Sequence, residues 1–300
     1  MNRYNALMQR IQAGEQILID GATGTEVERR GVPQVDHAWN GGGALTHPDI
    51  VRQIHEDYID HGAQIVISNT FATARHNLQE AGWEEHFDLL NRRGVELAIE
   101  ARANRNAPHV LVAAGISHWD WNNKPPSFEA LRANIEDQAA IMADAGADLI
   151  MLEMMCHLDK MRICIEAAQK TGLPVWVGLS CDLAEDGTSK LWHMGTVEAA
   201  IEMCDAYDLP LVSVMHTQVE HVDAALDVIQ ANWNRPIGVY AHSGLYEDGK
   251  WIFNSVISPE AYAAASQHWL ARGVQLIGGC CGVGVPHIEQ LHDILEPSGG

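Results

Sequence analysis

Apolar and polar positions alternate along this chain in a two-part rhythm. Short apolar runs are followed by longer amphipathic stretches, eight times over. The runs are Gln16–Asp20, Gln64–Ser68, His109–Ala113, Asp148–Leu152, Pro174–Leu179, Leu211–Val214, Pro236–Tyr240 and Val274–Ile277. Each is rich in Ile, Val and Leu, with little polar alternation, which is how strands buried on both faces read. The stretches between them read as helices. Pro48–His61 opens on a proline suited to a first turn and repeats Ile50, Ile54 and Tyr58 four residues apart. Ser127–Ala145 and Ser258–Arg272 each open on a serine placed to cap, the second with Pro259 behind it. Phe87–Arg105, Leu158–Lys170, Thr196–Ala206, Glu220–Asn232 and Pro286–Leu295 complete the eight. Strand–helix alternation predicts a parallel sheet with right-handed crossovers, and eight units predict an α/β fold of the (β/α)8 TIM-barrel type. A doubly wound open sheet more often carries a Gly-rich phosphate loop after its first strand, and DGATGTE is not that motif.

The length suits this reading. No linker interrupts the 300 residues, so residues 1–300 are expected to form a single barrel domain, with the tail Pro297–Gly300 frayed. The formal net charge of −21 repels phosphate backbones and anionic bilayers, so nucleic acid and membrane are poor partners and small cations good ones. No apolar run is long enough to span a bilayer, and the polar, amphipathic N-terminus lacks a signal-peptide core. A cytoplasmic protein is expected. Barrel surfaces leave a homo-oligomer open. Six cysteines are too few for a disulfide scaffold, and two of them, Cys280 and Cys281, are adjacent.

In a barrel, the residues just past each strand's C-terminus converge on one mouth. Here they are Asp20, Asn69, Glu153, Cys181, His216, His242 and the pair Cys280–Cys281. Two adjacent thiols do not easily form an unstrained disulfide with each other. In Gly278-Gly279-Cys280-Cys281-Gly282 the glycines let the backbone bend until both sulfurs face one point. Two thiolates and an imidazole make a three-ligand zinc site with an open fourth position, the arrangement of a catalytic zinc. Two small buried residues in a tight turn would give the same dipeptide.

Five segments carry a resemblance: ILIDGATGTEVERRG (17–31), HPDIVRQIHEDYIDHGAQIVISNTFAT (47–73), AGADLIMLEMMCHLDKMR (145–162), PVWVGLSCD (174–182) and GGCCGVGVPHI (278–288). In this order, over nearly the whole chain, they resemble the homocysteine S-methyltransferases, a family that includes S-methylmethionine- and betaine-dependent enzymes. The resemblance implies a (β/α)8 barrel with a zinc ion held by three cysteines. It places two ligands on Cys280 and Cys281 and the amino group of homocysteine on Glu153. It places the amino acid against Asp20, Gly21 and Thr25, and matches Asn69, Thr70 and Phe71 to the family's second strand. Asp20 and Glu153 are the residues expected to act in catalysis.

The third cysteine does not match. The family's Asn-Cys after strand six is Met215-His216 here, and aligning Glu220-His221-Val222 with the following helix puts His216 on the cysteine. Cys181 is the rival for that place. The family's Pro-Asn after strand seven is Ala241-His242, and the loop after strand three is Ile116-Ser117-His118-Trp119-Asp120-Trp121, without the usual Gly-Pro. A Zn2+ site of His216, Cys280 and Cys281 is therefore expected, with homocysteine and a cationic methyl donor as ligands. An imidazole in place of a thiolate makes the bound sulfur easier to deprotonate but less nucleophilic, which suits a reactive sulfonium better than betaine. Trp39, Trp119 and Trp121 offer aromatic faces to an onium group, and His242 is expected to line the mouth. Two other classes fit the same residues: a zinc hydrolase with Glu153 as base, and a barrel that binds an amino acid without turnover.

Overall fold

Runs buried on both faces need cover on both, and each strand here is followed by a helix that supplies it. The structure is a computed structural model describing residues 2–121, 124–247, 250–252 and 255–296; the tail Pro297–Gly300 lies outside the described residues. Eight parallel strands form the barrel: β1 (Ile17–Leu18), β2 (Ile65–Ile67), β3 (Leu111–Ile116), β4 (Leu149–Met155), β5 (Val175–Leu179), β6 (Val212–Gln218), β7 (Ile237–His242) and β8 (Leu276–Ile277). Their spatial order is β1-β8-β7-β6-β5-β4-β3-β2, and an Ile19–Ile65 bridge joins β1 back to β2. The chain is thus a (β/α)8 TIM barrel.

Alternate residues face alternate layers. Ile17, Ile19, Ile65, Leu111, Leu149, Met151, Trp176, Leu211, Tyr240 and Leu276 fill the barrel interior. Leu18, Val66, Val112, Ile150, Val177, Val214, Val239 and Ile277 pack outward against the helices. Ser127 and Ser258 cap their helices as expected, accepting from the backbone N–H of Ala130 and Ala261, each at 3.2 Å. Among the described residues no helix is long and apolar enough to cross a membrane.

Two features stand outside the eightfold pattern. The amphipathic start forms a helix, Arg3–Gln12, that lays Leu7, Met8 and Ile11 against the interior core and closes the barrel's N-terminal end. Two hairpins rise from the other end, Cys181–Leu183 with Ser189–Leu191 and Leu245–Glu247 with Lys250–Ile252. Four strands run further than their apolar runs, β3 and β7 straight on and β4 and β6 through a bulge. β4 continues past Leu152 to Met155 and β6 past Val214 to Gln218, each through a register shift against its neighbour. Met154 and His216, inside those shifts, have φ of 56° and 41°. A β-bulge of this kind re-aims a side chain, and both bulges lie at the mouth.

Candidate active site at the barrel mouth

The turn after β8 is held so tightly that only glycine fits at its shoulders. A Cβ on Gly278 would lie 2.2 Å from Ile19 Cγ1, and one on Gly282 would lie 2.1 Å from the Ser243 carbonyl. Gly282 also has φ of 80°, a left-handed conformation natural to glycine. The Cys280 N–H donates to the Ala241 carbonyl at 2.9 Å, and the Gly282 N–H donates to Thr25 Oγ1 at 3.2 Å. Both thiols consequently turn toward His216. Cys280 Sγ lies 4.0 Å from Cys281 Sγ and 3.6 Å from His216 Nδ1. All three ligand atoms fall within 4.8 Å of one another, and they form the one such His/Cys/Asp/Glu group among the described residues. A tetrahedral ion with ligands at zinc-like distances needs S···S of about 3.8 Å and S···N of about 3.6 Å, so this donor set fits such an ion.

His216 reaches the group at a cost. A left-handed backbone in a non-glycine residue is worth roughly 1–3 kcal/mol of strain and persists only where neighbours fix it. Ser180 Oγ donates to the His216 carbonyl at 2.7 Å, and Thr217 Oγ1 donates to the Met215 carbonyl at 3.0 Å. Burial holds the His216 pKa well below its ordinary value, which keeps the ring neutral, as a ligand must be. Cys181 stands behind this bulge. Its backbone N–H donates to Thr217 Oγ1 at 2.9 Å, burial pushes its thiol up to about 12, and its sulfur is outside the ligand group. The rival ligand is thus a support for the bulge.

Above the thiols opens a cavity of about 250 Å³. Gly21, Thr25, Trp39, Asn69, Glu153, His216, Cys280 and Cys281 all line it. Glu153 projects from the β4 bulge into space that Gly115 leaves open, since a Cβ there would lie 2.7 Å from its Oε2. Burial raises the Glu153 pKa to about 8, so the site favours a cation that would hold the carboxyl ionised. The two bulges touch: the Met154 N–H points at Met215 Sδ, 3.0 Å away.

Three expected site residues stand behind the lining. Asp20 is 1% exposed and accepts from the Ile67 N–H at 2.7 Å, so it latches the β1–β2 seam, and burial raises its pKa well above the ordinary range. Thr70 Oγ1 donates to the Gly115 carbonyl at 2.8 Å. His242 packs its ring on His216 with centroids 4.3 Å apart.

The far wall is aromatic. Trp39 meets Trp121 at 5.8 Å between centroids, Trp121 meets Phe71 at 6.5 Å and Trp119 at 6.2 Å, and Trp119 stacks on Trp192 at 5.5 Å. Trp192 in turn leans on His216 at 5.8 Å. Trp192 and Tyr240 are lining residues that sequence reasoning missed. Trp192 ends the hairpin after β5, and Asp186-Gly187 between two short apolar segments is the turn signal that announces that hairpin. The hydroxyl of Tyr240, at the cavity floor, has no hydrogen-bond partner.

The model of the homocysteine S-methyltransferase family matches residues 17–295. The chain belongs to that family. Among similar relatives, homocysteine S-methyltransferase 2 of Zea mays is 25% identical, with 95% of this chain and 91% of that protein covered. Homocysteine S-methyltransferase YbgG of Bacillus subtilis is 25% identical over 92% of this chain and 93% of its own length. A selenocysteine methyltransferase of Astragalus bisulcatus is 24% identical over 95% and 94%. The fold matches the homocysteine methyltransferase MmuM of Escherichia coli, metallated form, with a TM-score of 0.81 at 24% identity, covering 98% of this chain and all of that one. The family reading made from the five sequence segments therefore holds, and so does the barrel.

Proposed function

We propose that this member of the family transfers a methyl group from a sulfonium donor to the thiol of L-homocysteine, giving methionine, at a Zn2+ site formed by His216, Cys280 and Cys281. The observation that carries the proposal is the convergence of those three ligand atoms within 4.8 Å at the floor of the cavity. The metallated form of the similar MmuM supports a metal here. Bound Zn2+ would let an incoming thiol ionise at neutral pH and would fix its sulfur.

The chain's own residues do the rest. Glu153 holds the amino group of homocysteine by charge, and a cation beside it draws its pKa back down. Gly21 keeps the β1 loop close, because a Cβ there would lie 2.5 Å from the Val283 carbonyl. Thr25 ties that loop to the cysteine turn. Trp119, Trp121 and Trp192 face the donor, and a cation over an indole gains roughly 0.5–2 kcal/mol. The homocysteine sulfur supplies the electron pair of the new C–S bond. The donor's S–CH3 bond breaks with its pair remaining on the donor sulfur, and the thiol proton leaves to solvent. Two opposite charges disappear as the bond forms, so an apolar, water-poor wall favours the reaction. Alignment of sulfur, methyl carbon and leaving sulfur is the larger part of the acceleration.

With a neutral imidazole among the ligands, the site is one unit less negative than with three thiolates. That lowers the nucleophilicity of the sulfur and selects a reactive donor. The test is a methyl-transfer assay on zinc-loaded protein over a donor panel. S-methylmethionine or another sulfonium is expected to turn over faster than betaine, and betaine turning over fastest would overturn the donor assignment.

A further inference from the structure

Two departures from the family resemblance, His216 and His242, lie on neighbouring strands and pack ring against ring. Their centroids are 4.3 Å apart with the planes inclined at 37°. The register explains the contact. Met215 pairs with Tyr240 and Gln218 with His242, so His216 and Thr217 of β6 together face Ala241 of β7. The extra residue turns His216 back over the mouth at φ 41° and lays its ring on that of His242.

A cysteine at position 216 would present its sulfur through a single side-chain torsion. An imidazole has a second torsion, and its nitrogen points correctly only if the ring plane is held. Trp192 bounds one side of the His216 ring at 5.8 Å, and His242 bounds another at closer range. His242 itself stays out of the ligand group and out of the cavity lining.

We propose that His242 is a positioning residue for His216, holding its imidazole so that Nδ1 faces Cys280, and that the two histidines work as a pair in place of a lone cysteine ligand. This rests on the ligand assignment proposed above. Ligand-orienting residues around metals typically change affinity 10- to 100-fold when removed.

The test is zinc affinity of the full chain, measured by competition with a chromogenic chelator, for wild type, His242→Ala, His216→Cys and the double variant. Cobalt(II) absorption of each reports ligand geometry independently of activity. His242→Ala is expected to weaken zinc binding about 10- to 100-fold and to shift the cobalt bands. In the His216→Cys background the same change is expected to alter affinity less than about 3-fold. An equal loss in both backgrounds, or no loss in the histidine background, would overturn the pairing. A His216→Ala variant that keeps wild-type zinc affinity would instead sink the ligand assignment, so the two failures are distinguishable.

Discussion

At the closed end of the barrel a buried indole and a shared carboxylate are fully matched to partners, whereas at the open end several groups close to the chemistry are held without one. Below, the Trp176 indole N–H donates to Tyr4 Oη at 3.1 Å. Asp148 there accepts from Arg3, Arg102 and the Val112 N–H, each at 2.8 Å. Leu7, Met8 and Ile11 seal the floor, each worth roughly 1.5–3 kcal/mol when fully buried. Above, Asp20 Oδ1 and Tyr240 Oη are buried with no partner. Trp39, Met154 and His216 have left-handed backbones, and Glu153 sits in a site that prefers it neutral. The difference teaches where the fold keeps its stability and where it keeps its chemistry. Of the non-glycine residues with left-handed backbones, Trp39, Met154 and His216 face the cavity, while Asn106 and Asp208 sit in turns after helices, where short polar side chains tolerate that conformation.

Substitutions at the two ends should therefore separate activity from stability. The largest effect is expected for Cys280→Ala, which removes a ligand. Methyl transfer should fall to background in an assay of product formation, while the unfolding free energy from denaturant titration stays within about 1 kcal/mol of wild type. At the other end, Trp176→Ala opens a hole in the barrel floor. It should lower unfolding stability by about 3–5 kcal/mol in urea titrations, with KM for both substrates nearly unchanged.

Glu153→Gln sharpens the contrast, because it should help the fold and harm the reaction. A carboxyl whose folded pKa is raised to about 8 stabilises the fold while protonated, below its unfolded pKa of about 4.3, and that contribution is lost as pH rises through the folded value. The variant should therefore be more stable than wild type by about 2–4 kcal/mol at pH 8 and above, and the two should converge toward pH 4. Thermal melts across that range check this, and a raised KM for homocysteine should accompany it. The smallest effect is expected for Trp119→Ala. Losing one aromatic face should raise the donor KM by roughly 2- to 30-fold, the equivalent of about 0.5–2 kcal/mol, with the homocysteine KM little changed.

Much of this arrangement is legible in the sequence, for physical reasons. Strands such as Val175–Leu179 are buried on both faces, so they read as unbroken apolar runs and the eightfold count is recoverable. Cys280, Cys281, Glu153 and His216 are legible because a parallel barrel sends its strand ends to one mouth. The two bulges are not legible. Periodicity ends the fourth and sixth runs at Leu152 and Val214, yet the ladder resumes beyond each bulge, and those bulges aim Glu153 and His216. The strand-end rule also overreaches. Asp20 and His242 stand at strand ends, but the first bonds the Ile67 N–H and the second packs on a neighbouring ring, and neither lines the cavity. The closing helix is the converse case. The amphipathic pattern of Arg3–Gln12 marks a helix face, and nothing local says that the face meets the barrel floor.

The central claim is that the thiol of homocysteine becomes a ligand beside His216, Cys280 and Cys281. Zinc K-edge X-ray absorption of the loaded protein measures this directly. The account predicts two sulfurs and one imidazole nitrogen, with a light-atom ligand, before substrate, and three sulfurs with the same nitrogen after homocysteine is added. A sulfur count that does not change on adding homocysteine would contradict it.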